Sequence, residues 1–177
     1  MRIINGTHKG KSIVAPKNLP VRPTTDFAKE GLFNILSNEF DIEDIEMLDL
    51  FSGTGNIAFE FASRGAKNIR CIDINYSCVA FIKKTSKALG FNQLNVFKND
   101  VFKYLKQYDH SFDIIFSDPP YDLKEIPQIP DLVFDNQLLK ENGWLIVEHD
   151  KRTDISDHPK FFRLRKYGNV HFSIFQH

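Results

Sequence analysis

Asp118-Pro119-Pro120-Tyr121 is the tetrapeptide with the clearest chemical use. Two adjacent prolines remove two backbone donors and stiffen a turn. A stiff turn holds the Asp118 carboxylate and the Pro119 carbonyl at a fixed separation, as two acceptors for the N–H groups of one amine. An exocyclic base amine needs such help, because its lone pair is delocalised into the ring. Preorganised acceptors let that lone pair localise. Tyr121 adds an aromatic face on which a base can stack, worth about 1–3 kcal/mol. No separate strong base is required, since the nitrogen sheds its proton to Asp118 or water once attack has begun. A paired base could not reach such a site, so the target would be single-stranded or flipped out. Without chemistry, the same four residues are an ordinary proline turn.

A second group is Asp49-Leu-Phe-Ser-Gly53-Thr-Gly55-Asn-Ile-Ala58, at a strand-to-helix turn. Gly53, Gly55 and Ala58 fit the G-x-G-x-x-G/A pattern formally, and Asp73 follows at the expected distance. That pattern is weak alone. Asp49 separates the readings: a carboxylate at the end of the first strand would repel a pyrophosphate and suits an ammonium or sulfonium. Asp73, ending the second strand, is placed for ribose hydroxyls. Asp100, after the third, is placed for an adenine amino group, or as the N-cap of the next helix. Three acids at three successive strand ends match an adenosine bearing a cation, laid across a sheet.

The elements that must position these groups alternate. Strands are predicted at Met47–Leu50, Asn68–Asp73, Leu94–Lys98, Phe112–Ser117 and Gly143–Glu148. Helices are predicted at Phe27–Leu36 (N-cap Thr25 or Asp26), Ile57–Arg64, Ser77–Leu89, Val101–Gln107 and Asp131–Lys140. Near-continuous apolar strands between helices mean a parallel sheet covered on both faces, an α/β fold. Phe162–Tyr167 and Val170–Phe175 flank Gly168-Asn169 and read as an antiparallel hairpin closing the chain. Arg2–Asn5 and Lys11–Ala15 read as a small N-terminal hairpin. The acidic run Glu39–Glu46 is read as a solvated loop, and His149 as a rim residue without a catalytic role.

The 177 residues suit one domain. No apolar run is long enough to span a bilayer, and the N-terminus lacks a signal-peptide stretch, so a cytoplasmic protein is expected. Cys71 and Cys78 make neither a disulfide framework nor a zinc site, and no metal is expected. The net charge of zero is unevenly spread: residues 1–30 and 151–177 each carry +4, and residues 31–150 carry −8. Basic ends suit phosphate contacts, although solvated lysines explain them equally.

The loop Asp49–Asn56 with Asp118–Tyr121 resembles class I amino-methyltransferases carrying [DN]-P-P-[YFW]. The resemblance extends further, through Arg2-Ile-Ile-Asn-Gly6, Lys9-Gly10-Lys11, Arg22-Pro-Thr-Thr-Asp26, Glu30–Leu36, Ser63-Arg-Gly-Ala66 and Tyr167-Gly-Asn-Val170. Over nearly the whole chain these are similar to the RsmD-type family, which makes N2-methylguanine in small-subunit ribosomal RNA. Asn56 and Phe59 depart from it, standing where smaller residues are usual.

The resemblance implies a Rossmann-like, seven-stranded, mostly parallel doubly wound sheet with a C-terminal antiparallel hairpin. It implies residues 1–26 as a hairpin and arm of the same unit, and 27–177 as the methyltransferase domain. It implies S-adenosylmethionine held by Asp49, Phe51, Gly53, Gly55, Asn56, Asp73, Ile74, Asp100 and Val101. Asp118, Pro119, Pro120 and Tyr121 would meet the amine. Arg2, Lys9, Lys11, Arg22, Thr24 and Thr25 would meet RNA. The expected partner is ribosomal RNA, in the small subunit or an assembly intermediate, met by a monomer away from membranes.

Other readings of the same residues are a DNA adenine or protein glutamine amino-methyltransferase, a noncatalytic RNA-binding assembly module, and a dinucleotide oxidoreductase. Demonstrated cofactor binding separates the enzymes from the inert module, and nicotinamide titration tests the last. Arg22→Ala is expected to weaken RNA engagement more than cofactor affinity. Normal RNA affinity in that variant would remove Arg22 from the RNA surface.

Overall fold

A computed structural model describes residues 1–16, 19 and 24–177. Seven strands form one sheet: β1 (Glu46–Leu50), β2 (Asn68–Asp73), β3 (Leu94–Lys98), β4 (Phe112–Ser117), β5 (Leu139–His149), β6 (Phe161–Tyr167) and β7 (Val170–Gln176). Their order in space is β3-β2-β1-β4-β5-β7-β6. The first five are parallel, and β7 runs antiparallel to both β5 and β6. The helices are α1 (Asp26–Glu39), α2 (Asn56–Ser63), α3 (Tyr76–Leu89), α4 (Val101–Gln107) and α5 (Gln128–Asp135). The architecture is the seven-stranded sheet with an antiparallel ending that the sequence predicts. Among the described residues no helix is long and apolar enough to cross a membrane.

Period-2 alternation divides the core. Met47, Ile69, Cys71, Ile114, Phe116 and Ile146 face α1, α2 and α3. Leu48, Leu50, Ile72, Ile115, Leu145 and Val147 face α4 and α5. Local signals set the helix ends. The Thr25 hydroxyl accepts from Ala28 N–H at 3.2 Å and starts α1. Asn75 caps α3, and Gly90, in left-handed backbone, closes it.

Four expectations change. Helix α5 starts three residues earlier than predicted and stops at Asp135. Gln137 turns into left-handed backbone, and Leu138 N–H folds back onto the Val133 carbonyl at 3.0 Å. Leu138 and Leu139, apolar enough to extend the helix, are drawn to the sheet instead: Phe112 N–H donates to Leu138 O, and Leu139 pairs with Phe112. Strand β5 accordingly begins at Leu139 rather than Gly143. The acidic run is no plain loop, since it contains a 3₁₀ turn at Ile42–Asp44. Glu46, at its end, starts β1 and lies 3.4 Å from Lys140 Nζ.

The fourth change is the N-terminal hairpin, which shrinks to one antiparallel bridge, Arg2 to Ser12. A few backbone bonds still cross it, from Ile3 N–H to Lys11 O, Gly10 N–H to Ile3 O and Ile13 N–H to Met1 O, while others go to helix α2. Ile4 and Asn5 N–H donate to the Glu60 carboxylate at 2.8 and 3.0 Å, and Thr7 N–H donates to Ser63 O at 2.7 Å. Glu60 also receives Arg64 Nε at 2.8 Å and lies 3.3 Å from Lys29 Nζ. Both Lys29 and Glu60 are fully buried. Burial lowers the Lys29 pKa, against the raising influence of the Glu60 charge. Removing one partner strands a buried charge. Glu60→Ala is therefore expected to cost about 3–5 kcal/mol, read from the urea unfolding midpoint. A loss below about 1 kcal/mol would show that the pair is dispensable.

Candidate active site

The strand order reverses between β1 and β4, the crevice where open α/β sheets bind ligands. The parallel register sets Leu50 beside Ile72 and Ser117, and Ser117 beside Val147. Asp49, Asp73, Asp118 and Glu148 lie within a residue of that row. Alternation puts all four on the face covered by α1 and α2, because each follows by two a residue buried there: Met47, Cys71, Phe116 and Ile146. One face of one crevice thus gathers four carboxyl groups.

The loop after β1 is held in place from both sides. Ser52 N–H donates to Ile72 O at 3.1 Å, and Gly53 N–H donates to Asp73 Oδ2 at 2.8 Å. Phe51, Gly53 and Gly55 all adopt positive φ, at 57°, 53° and 74°. For Phe51 that costs about 1–2 kcal/mol, offset by the pinning on either side. At Gly55 a Cβ would also press on Ile82 and Phe59 at 3.1 Å. The loop therefore runs tightly into α2 and leaves its backbone bare at the crevice.

Asp49 is buried, and its Oδ2 has no hydrogen-bond partner among the described residues. Burial drives its pKa well above the carboxylate range, and the Asp73 charge adds to this. The Ala58 backbone N–H and the Ser52 hydroxyl oppose it. Asp118 is raised by burial, then by the charges of Glu148 and Asp49. Glu148 is raised by burial, against its two hydrogen bonds. Those bonds come from Thr24 Oγ1 at 2.7 Å and Tyr121 Oη at 2.8 Å. Burial and the Glu148 charge push the Tyr121 pKa up, so the phenol keeps its proton and donates it. This crevice suits a cationic ligand: a positive charge there would answer Asp49 and relieve its neighbours.

The structure redistributes several expected roles. Asp49, Phe51, Gly53, Gly55, Asp73 and Asp118–Tyr121 come together as predicted. Ile74 follows Asp73 and is 63% exposed, whereas Val101 is buried. Asn56 is not free for a cofactor. Its Nδ2 donates to Thr24 O at 2.9 Å, and its Oδ1 accepts from Lys29 Nζ at 2.9 Å. The departure from a small residue at position 56 therefore ties the N-terminal arm to the glycine loop. Asp100 does cap α4, through Lys103 N–H at 2.9 Å. Thr24 is buried and donates its hydroxyl to Glu148, which places it in the crevice wall. Thr25 caps α1. Arg2, Lys9 and Lys11 are exposed, with Arg2 Nε 3.5 Å from Asp26. Arg22 lies outside the described residues. His149 is not at the rim: it is buried, with Nε2 2.8 Å from Ser173 Oγ.

Glu148 and Lys29 escaped the sequence reading. The signal for Glu148 was present, an acid ending an apolar parallel strand as Asp49 and Asp73 do. Nothing in the local pattern marks Lys29, which lies on a helix otherwise flanked by ordinary charged residues.

The family described as Conserved hypothetical protein 95 matches residues 1–176. Ribosomal RNA small subunit methyltransferase D of Buchnera aphidicola is 32% identical over 179 residues, covering 99% of this chain and 91% of its own. Putative rRNA methyltransferase YlbH of Bacillus subtilis is 32% identical over 161 residues, covering 89% of this chain and 86% of its own. The structure of putative methyltransferase yhhF from Escherichia coli superposes with a TM-score of 0.87 at 27% identity, covering 99% and 97% of the two chains. The chain belongs to this family, the RsmD-type methyltransferases.

A raised carboxyl pKa favours the folded state at low pH, and that advantage is lost as pH rises through the raised value. Asp49→Asn mimics the protonated group. The variant is expected to melt at a higher temperature than the wild type at pH 8, with the gap closing as pH falls toward the ordinary carboxylate range. Thermal melts across that range check this, and a variant less stable at pH 8 would refute it.

Proposed function

We propose that this protein transfers a methyl group from S-adenosylmethionine to the exocyclic N2 amine of a guanine in small-subunit (16S) ribosomal RNA. The observation that carries the reading is the row of carboxyl groups beside a rigid Asp118-Pro119-Pro120-Tyr121 turn. Family membership adds support, since relatives over nearly the full chain are named ribosomal RNA methyltransferases.

S-adenosylmethionine would supply an activated methyl group, and its cationic charges fit the unanswered Asp49 carboxyl. Asp49, Gly53, Gly55 and Asp73 are the residues that would hold it. Asp73 already accepts from Gly53 and Asn75 N–H, yet a carboxylate has lone pairs left for hydroxyl donors.

The remaining chemistry belongs to the chain's own groups. The Asp118 carboxylate and the Pro119 carbonyl accept from the amine N–H groups, and the lone pair localises on nitrogen. The bond from Tyr121 Oη to Glu148 fixes the ring that stacks on the base. The amine proton passes to Asp118 or to water. Burial and the Glu148 charge raise the Asp118 pKa, which makes its carboxylate a stronger proton acceptor. We read the protein as a cytoplasmic monomer acting on the small subunit or on an assembly intermediate.

The test is incubation with tritiated S-adenosylmethionine and small subunits lacking the modification, beside naked ribosomal RNA, DNA and protein acceptors. Label recovered as N2-methylguanosine is the expected result. Label confined to DNA or protein would overturn the proposal. Asp118→Ala is expected to cut transfer at least ~100-fold while leaving cofactor binding nearly intact. Comparable turnover in that variant would end the amine-polarising role of Asp118.

A further inference from the structure

Phe27 occupies the first turn of α1 and is 69% exposed. A single exposed apolar side chain is ordinary on a protein surface; what sets this ring apart is how it is held. Its surroundings are built. Gly31 lies one turn further on the same helix face, and a Cβ there would run into the Tyr167 ring. Glycine within a helix is destabilising, and here it opens the groove in which Tyr167 lies. Tyr167 in turn meets Phe27 edge to face, with centroids 5.7 Å apart. Its inner side is backed by Phe172, with centroids at 5.8 Å. Two elements distant in sequence thus combine to hold one exposed ring in place.

The position of this pair gives it meaning. Strand β7 opens beside the end of β5, with His171 opposite His149, so the hairpin tip carrying Tyr167 stands at the carboxyl end of the parallel strands. Thr24, bonded to Glu148 in the crevice, precedes Phe27 by three residues, so their Cα atoms lie within about 11 Å of one another. Charge around the pair is mixed: Asp26 and exposed Glu30 stand on α1 beside Phe27, Arg2 Nε lies 3.5 Å from Asp26, and exposed Lys166 adjoins Tyr167 in sequence. A preoriented aromatic face next to the catalytic crevice has the chemistry of a stacking platform for an unpaired base.

Resting on the function proposed above, we infer that Phe27, braced by Tyr167 in the groove at Gly31, stacks on an unpaired RNA base adjoining the target nucleotide. Aromatic stacking then holds the strand while Asp118–Tyr121 engage the flipped base.

The experiment compares Phe27→Ala, Phe27→Leu and Phe27→Trp with the wild type on small-subunit ribosomal RNA lacking the modification. Phe27 is exposed and outside the catalytic machinery, so cofactor binding should not change. Phe27→Ala should raise KM for RNA about 10-fold with kcat unchanged. Phe27→Leu, apolar but without a π face, should be as poor, and Phe27→Trp should match the wild type. Filter binding to the same RNA without cofactor should show the same ranking. Wild-type affinity in Phe27→Ala would overturn the platform, whether or not methyl transfer is seen. A leucine variant as good as the wild type would also overturn it, in favour of a plain apolar contact with a protein. Wild-type protein that binds RNA in this ranking yet methylates none would sink the proposed reaction and leave the platform standing.

Discussion

Four carboxyl groups side by side in one crevice are the constraint around which this structure is arranged. Burial raises the pKa values of Asp49, Asp118 and Glu148, and neighbouring carboxylates raise those of Asp49 and Asp118 further. A protein selected for stability alone would not keep Asp49 buried with an oxygen lacking a partner. The sheet tolerates it because its other contacts are well satisfied. The cost makes sense when a cationic ligand completes the site. Electrostatic strain in the free protein then becomes binding affinity and selectivity against phosphate-bearing nucleotides.

A second, fully buried charge cluster supports the first from behind. Lys29 contacts Glu60, the Arg2 carbonyl at 2.6 Å and the Asn56 amide oxygen. Asn56 reaches the Thr24 carbonyl, and the Thr24 hydroxyl reaches Glu148, which holds Tyr121. A chain of hydrogen bonds thus runs from the hydrophobic core beside α2 to the Tyr121 ring. Each polar atom in it is satisfied by the next, the condition under which buried polar networks rigidify a site. Thr24 is therefore part of the crevice wall, joined to Asn56 at the glycine loop on one side and through Glu148 to Tyr121 on the other.

Much of this was legible beforehand, and the reasons are specific. Strands Asn68–Asp73, Leu94–Lys98 and Phe112–Ser117 kept their predicted bounds, since each is a short apolar run fenced by glycine or by a helix cap. Helix α5 slipped because the apolar residues Leu138 and Leu139 suit helix and sheet equally. The choice was made by Phe112, a partner 26 residues away. The N-terminal strands shrank because their donors found Glu60, which no local pattern could connect to residues 4 and 5.

The sequence by itself determined the fold class, the glycine turn, the proline-stiffened Asp118–Tyr121 turn and the acids at the strand ends. These depend on local chemistry: φ preferences, capping, and the period of apolar residues. The tertiary structure alone decided that Asp49, Asp73, Asp118 and Glu148 share one face, because strand order and register fix which ends meet. It also tied the Asn56 and Thr24 side chains into internal hydrogen bonds, and it brought Tyr167 against Gly31. Hydrogen bonds and close packing between residues far apart in the chain have no period and no spacing. They exist only once the chain has closed around them.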